Sequence, residues 1–184
     1  MASDPDRSDR PVVGPEGSQG IFLGLGANLG DPAAQLARAL AALSRGGATA
    51  TARSHLYATR PLGPPQPSYV NAVAELSWAG SPDELLELLL ATERSMGRVR
   101  LERWGPRTVD LDLLLYGDRV IQTPRLALPH PGLASRAFVL VPLAEIAPRR
   151  VHPLIGRSVA ELRDELPEQE ISGVVRLDRR WPEG

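Results

Sequence analysis

Asp110 and Asp112 stand two residues apart in the stretch Val109-Asp110-Leu111-Asp112-Leu113. Alternation of apolar and acidic residues predicts a strand with both carboxylates on one face and Val109, Leu111 and Leu113 turned into a core. Two carboxylates roughly 6–7 Å apart at Cα can converge on hard cations. Mg²⁺ in particular takes only one or two protein carboxylates and completes its shell with phosphate oxygens and water. The plain alternative is a half-exposed strand that happens to be acidic. Just upstream lie Arg98, Arg100, Arg103 and Arg107, on a segment broken by Gly105-Pro106. Guanidiniums for phosphate oxygens beside carboxylates for a metal are what a polyphosphate–metal site needs. A surface salt-bridge network would use the same residues. Trp104 among these charges favours the site, because an indole gains little on a solvated face and can stack on a heterocycle.

The background narrows the classes. The chain has 184 residues, 42% hydrophobic and 23% charged, with formal net charge −1. That suits one globular domain and gives no global field for nucleic acid or an anionic membrane. There is no cysteine, so disulfides, thiolate nucleophiles and cysteine metal sites are excluded. All 21 basic residues are arginine, which a coding bias explains most simply. Without lysine no Gly-x-x-x-x-Gly-Lys-Ser/Thr loop exists. Gly24 and Gly26, followed by Asn28-Leu29-Gly30, miss the dinucleotide spacing and read as a tight strand-to-helix turn. No apolar run approaches the ~20 residues of a membrane span and no secretory leader opens the chain, so a cytoplasmic location is expected.

The elements that must position these groups follow from the punctuation. Residues 1–19 are polar and Pro/Gly-rich and read as a disordered arm before a single domain over 20–184. Ile21 to Gly26 reads as a buried strand, and Asp31-Pro32 as an N-cap and first turn for a helix carrying Leu36, Leu40 and Leu43. One β-compatible stretch spans Thr49 to Tyr57, and a second strand spans Tyr69 to Trp78. The prolines at 61, 64, 65 and 67 forbid regular structure between them. Ser81 to Glu84 is a capping box for a leucine-rich helix closed by Gly97. Val109 to Tyr116 is a strand, with a turn at Gly117-Asp118 into Val120-Ile121. Arg136 to Ile146 reads as a helix interrupted by Pro142, Ser158 to Leu166 as a late capped helix, and Val174-Val175 as a last strand. The order β-α-β-β-α-β with C-terminal additions predicts an α+β, ferredoxin-like sandwich with its helices on one face of the sheet.

Four separated stretches carry a resemblance. Arg98-Val99-Arg100 with Arg103-Trp104-Gly105-Pro106-Arg107-Thr108-Val109-Asp110-Leu111-Asp112 resembles the signature of the 6-hydroxymethyl-7,8-dihydropterin pyrophosphokinase family. So do Gly26-Ala27-Asn28-Leu29-Gly30, the loop Thr59-Arg60-Pro61-Leu62-Gly63-Pro64 leading to Tyr69-Val70-Asn71, and Pro129-His130-Pro131 with Arg136-Ala137-Phe138. They keep the family's order across about residues 20–150. The resemblance implies a Mg²⁺-dependent diphosphotransferase that moves pyrophosphate from ATP to the pterin's hydroxymethyl arm and releases AMP, in folate biosynthesis. It implies two Mg²⁺ ions on Asp110 and Asp112, and charge stabilisation by Arg98 and Arg107, with Asp112 easing deprotonation of the acceptor. Arg98, Arg100, Arg103, Arg107, Arg125, His130 and Arg136 then line the ATP side. Thr59, Leu62, Tyr69 and Asn71 hold the pterin between Trp104 and Phe138, while Glu93 gives structural support. The implied partners are ATP and the hydroxymethyl-dihydropterin, with no nucleic acid, no membrane and a monomeric working unit. The loops at 60–67 and 97–107 are the candidate lids. An RNA-binding sheet of the same topology is the competing reading, weakened by an aromatic content of 4% and by the two carboxylates. A catalytically dead domain of this fold is another.

Overall fold

The computed structural model describes residues 20–61, 65–97 and 108–182, so the arm expected at 1–19 lies outside the described residues. Strand β1 (Ile21–Ala27) enters helix α1 (Pro32–Arg45), whose N-cap Asp31 accepts the Ala34 N–H at 3.2 Å. A carboxylate there satisfies an orphan backbone donor and meets the positive end of the helix dipole. Strands β2 (Thr49–Arg53), β3 (Tyr57–Thr59) and β4 (Tyr69–Ser77) follow. Helix α2 (Pro82–Ser95) opens on the expected Ser81/Glu84 capping box, and β5 (Asp110–Tyr116) carries the acidic pair. After β5 come a small hairpin, β6 (Ile121–Gln122) with β7 (Ala127–Leu128), then a single 3-10 turn at Leu133–Ser135. The chain continues through α3 (Ala137–Ile146), α4 (Val159–Asp164), α5 (Glu168–Ser172) and β8 (Val175–Arg176).

The main sheet runs β5-β1-β4-β3-β8, with β2 also on the β3 side of β4, and each described pair is antiparallel. The β stretch expected as one piece is two strands because Ser54 leaves the ladder. Its hydroxyl accepts the Val73 N–H at 3.0 Å, while its carbonyl takes the Trp181 indole N–H at 2.8 Å. Helix α3 runs on through Pro142, itself buried, where an interruption was expected.

The expectation of helices on one face alone needs correction. Leu36, Leu40, Leu43, Leu85 and Leu89 of α1 and α2 bury one face, against Leu23, Leu25, Ala74, Leu76, Leu111 and Leu113. The other face is covered too, by Val139, Leu140, Leu143, Val159 and Leu162 of α3 and α4 over Phe22, Val73, Leu114 and Leu115. The strands alternate between two apolar sets, so neither set can be left in water without losing its burial energy. The C-terminal additions form the sheet's second layer. Among the described residues no helix is long and apolar enough to cross a membrane.

Candidate active site

The second face is covered only in part. Across the ladder Asp110 is opposite Gly26, Gly26 is opposite Asn71, and Asn71 is opposite Tyr57. One step along, Asp112 is opposite Gly24 and Gly24 is opposite Val73. Residues in register across antiparallel strands share a face. A row therefore reads carboxylate, glycine, amide, and the glycine leaves the space between the two polar groups without a side chain. Asp110 and Asn71 sit two strand spacings apart, roughly 10 Å. Gly24 and Gly26 lie inside β1, within the strand expected from Ile21 to Gly26, and they form the floor of this gap.

Each wall is held by its own contacts. On β4, Asn71 is 7% exposed, and its Nδ2 donates to Thr59 Oγ1 at 2.7 Å. A Cβ placed on Gly26 would come within 3.0 Å of Asn71 Oδ1, so the amide's acceptor end lies over the floor. On β5, Val109, Leu111 and Leu113 are buried as expected, and the Leu111 N–H is taken by buried Glu93 Oε1 at 2.8 Å. Glu93 thus supports the acidic strand from α2, the structural role expected of it. Asp110 and Asp112 are partly exposed on the opposite face, Asp112 by 41% at its side chain. Leu114 has no partner in the β1 ladder, and its carbonyl accepts the His130 N–H at 2.9 Å. That bond parks His130 beside the acidic pair, with Nε2 4.0 Å from Asp112 Oδ1.

Charge at this end of the strand is organised around His130. Its Nδ1 accepts the Gly132 N–H at 3.0 Å, so the proton of the neutral ring sits on Nε2, toward Asp112. Burial pushes the imidazole's pKa below the ordinary value, Arg136 pushes the same way, and Asp112 and Asp110 oppose them. The Arg136 guanidinium lies 5.8 Å from the centre of the Phe138 ring, at the start of α3. Gly132 makes room for it, since a Cβ there would overlap the Arg136 side chain where it now lies. Asp110, Asp112, His130 and Arg136 form one cluster, with Phe138 at its edge.

Not every expected residue joins them. Arg125, in the β6–β7 turn, takes Glu87 of α2 as its partner. Tyr69 is held at the far side, its hydroxyl 3.5 Å from Gln66 Oε1. Arg98, Arg100, Arg103, Trp104, Arg107 and Leu62 lie outside the described residues. Asn28 was named only within a matched motif, yet it is buried, and its Nδ2 donates to Gln66 Oε1 at 3.0 Å and to the Pro67 carbonyl at 3.1 Å. It pins the proline-rich loop to the end of β1. A polar side chain in a Gly-rich turn, aimed at a segment whose prolines leave carbonyls unpaired, was the legible signal.

Among the described residues no cluster of three or more His, Asp or Glu could cage a metal. The acidic pair offers hard oxygens, too few to saturate a cation, and this fits Mg²⁺ shared with phosphates rather than a closed protein site.

Residues 22–148 match the profile of 7,8-dihydro-6-hydroxymethylpterin-pyrophosphokinase (HPPK). The chain belongs to the HPPK family. Relatives named 2-amino-4-hydroxy-6-hydroxymethyldihydropteridine pyrophosphokinase include one from Synechocystis, 46% identical over 85% of this chain and 80% of that one. The Pseudomonas aeruginosa protein of that name is 45% identical over 86% of this chain and 97% of its own. Among solved structures, a wild-type Plasmodium falciparum HPPK-DHPS with pteroate superposes with a TM-score of 0.64 at 13% identity, covering 79% of this chain. That likeness speaks for the fold alone, and this chain spans 42% of that longer one. The HPPK match takes in the acidic strand, the glycine floor, His130, Arg136 and all of α3, while α4, α5 and β8 lie beyond it. Family membership also displaces the RNA-binding reading of the same element order.

Proposed function

We propose that this chain transfers the pyrophosphoryl group of ATP to the hydroxymethyl arm of 6-hydroxymethyl-7,8-dihydropterin, releasing AMP, as a step of folate biosynthesis. The observation that carries this is the row of β5 carboxylate, side-chain-free glycine and Asn71 amide across the sheet, inside the stretch that matches HPPK. The acceptor hydroxyl bonds to the β-phosphorus, the bond from that phosphorus to the oxygen bridging it to the α-phosphate breaks, and the hydroxyl proton is lost. Such a displacement is governed by positioning and charge stabilisation more than by covalent chemistry.

The residues divide that work across the floor. Asn71 Oδ1 is an acceptor, and a pterin presents ring N–H and amino donors along one edge. Thr59 fixes the orientation by taking the amide's other end. Phe138 supplies one stacking surface, Trp104 the other, and Leu62 and Tyr69 close the pocket. On the far side Asp110 and Asp112 would hold two Mg²⁺ ions, which when bound would neutralise the phosphates and polarise the reacting phosphorus. Arg98 and Arg107 take the charge that develops on the transferring group. Arg100, Arg103, His130 and Arg136 line the nucleotide, and Arg125 would reach it only by leaving Glu87. Neutral His130 keeps a donor on Nε2 beside the acidic pair, where an imidazolium charge would compete with the cations. Asp112 eases loss of the acceptor's proton. The β-α-β-β-α-β core is ferredoxin-like, supported by the β5-β1-β4-β3 order with β2 on the same edge. We place the enzyme in the cytoplasm as a monomer.

The experiment is identification of products by ³¹P NMR after incubation with Mg²⁺ and ATP, with and without the pterin. AMP and a pterin diphosphate, formed only with the pterin, are expected. ADP, or AMP without the pterin, would return the chain to another reaction.

A further inference from the structure

Glu145 is a carboxylate inside the second layer that the reaction does not call on. It lies near the end of α3, its side chain 15% exposed, and both oxygens are taken by one short segment of the facing sheet. Oε2 accepts the His55 backbone N–H at 2.9 Å and the Tyr57 hydroxyl at 3.0 Å. Oε1 is paired with His55 Nδ1. The His55 side chain is 12% exposed and Tyr57 is buried. Burial and the facing carboxylate push the Tyr57 hydroxyl well above its ordinary pKa, which keeps it a donor. Hydrogen bonds to a charged acceptor are stronger than neutral ones, and a buried carboxylate stripped of partners is costly.

What matters is where the two ends of this contact lead. Phe138 precedes Glu145 by seven residues, and seven steps of about 100° fall only about 20° short of two full turns. Both side chains therefore leave the same side of α3, about 10 Å apart along its axis. On the sheet, Tyr57 is opposite Asn71, and Thr59, two residues on, holds the Asn71 amide. Glu145 thus joins α3, the helix that carries Phe138, to the strand that orients Asn71.

We propose that Glu145, through Tyr57 and His55, is a positioning residue that sets the spacing between Phe138 and Asn71 and thereby tunes affinity for the pterin. The proposal rests on the reading of Asn71 and Phe138 as the pterin pocket. It concerns the pterin side first, because Thr59 and Asn71 stand on β3 and β4 while the acidic pair stands on β5, with β1 between. Loss of the tie lets α3 shift against β3, which widens the slot for a flat ring, while Asp110 and Asp112 keep their places on β5 and Arg136, at the start of α3, passes only a smaller effect to the nucleotide.

Steady-state kinetics on the full chain test this, with each substrate varied at saturation of the other and thermal melting run in parallel. Tyr57→Phe removes one hydroxyl and keeps the ring, so folding should survive. It is expected to raise the pterin KM roughly three- to tenfold, as loss of one charge-assisted hydrogen bond allows, with the ATP KM within about twofold of the parent. Glu145→Ala should raise the pterin KM by about tenfold or more, and Glu145→Gln, which still accepts from His55 and Tyr57, should bring it back to within roughly threefold. Asn71→Ala is the control for the pocket itself. If Asn71→Ala raises the pterin KM while Tyr57→Phe and Glu145→Ala only lower the melting temperature, the tie is structural and the proposal is overturned. Equal shifts in both KM values would overturn it as well. If Asn71→Ala leaves the pterin KM unchanged, the pocket reading fails first and takes the tie with it.

Discussion

The two faces of the sheet are built from the same strands and do opposite things. On the face toward α1 and α2, β1, β4 and β5 present leucines and alanines that close completely against the helices. On the other face the same strands present Gly24, Gly26, Asn71, Asp110 and Asp112 at one end and Phe22, Val73, Leu114 and Leu115 at the other. The apolar end is roofed by α3 and α4, while the polar end has no side chain at Gly24 and Gly26 between its carboxylates and its amide. Period two is what permits this, because each strand contributes one set of residues to stability and the next set to chemistry. A substitution should therefore report which face it is on, through stability on one and through kinetics on the other.

The largest effect is expected on the open face. Asp110→Ala and Asp112→Ala should each lower kcat by about 10²–10³ or more, the scale of losing a preorganised electrostatic contact. Their melting temperatures should stay near the parent's, since both side chains are partly exposed. Leu89→Ala makes the opposite case. Leu89 is fully buried in α2, and the cavity should cost about 2–5 kcal/mol by denaturant unfolding. Kinetic constants per folded molecule should be unchanged. A kcat loss in Leu89→Ala comparable to that of Asp112→Ala would dissolve the division between the faces.

Gly26→Ala sharpens the comparison. The added methyl enters the floor 3.0 Å from Asn71 Oδ1. It should raise the pterin KM by roughly tenfold or more, about one good hydrogen bond's worth, because the Asn71 amide must give way to the methyl. A variant with lower stability and an unchanged KM would show that the floor is not a binding surface.

The smallest effect belongs to the roofed end. His152 lies in the connection from α3 to α4, its Nδ1 accepting the Leu154 and Ile155 N–H groups at 3.3 Å each. Burial holds its pKa below the ordinary 6.5. The native state thus binds this proton less readily than the unfolded chain, so stability rises with pH and is lost as pH falls through 6.5 toward the lowered value. Melting curves between about pH 7.5 and about pH 5 should show a loss that shrinks in His152→Asn, with activity at neutral pH unaffected.

Much of this division was legible in the sequence, for stated reasons. The Asp110/Asp112 alternation, the Asp31 cap and the Ser81/Glu84 capping box depend on local spacing, and each appears where spacing puts it. Asn71, His130, Arg136 and Phe138 were named from separated motifs that a family resemblance joins, with no geometry to guide them. The glycine floor was not legible as a floor. Gly24 and Gly26 look the same in a turn and in a strand, and only pairing with β4 and β5 shows what lies beside them. The second helical layer was missed because amphipathic patterning shows that a face is apolar without saying what covers it. Glu145 was invisible for a related reason, since its partners His55 and Tyr57 are about ninety residues away along the chain.

The central claim is that the open end of β5 is the metal–phosphate site. Its most direct test is Mn²⁺ binding followed by electron paramagnetic resonance in the presence of a non-hydrolysable ATP analogue. The parent is compared with Asp110→Ala, Asp112→Ala and Asp118→Ala, the last being an exposed carboxylate just past the same strand and paired with Arg150. Nucleotide-dependent Mn²⁺ binding lost in the first two variants and kept in Asp118→Ala is the predicted result. Binding that survives in both Asp110→Ala and Asp112→Ala would contradict the account and move the metal to another part of the molecule.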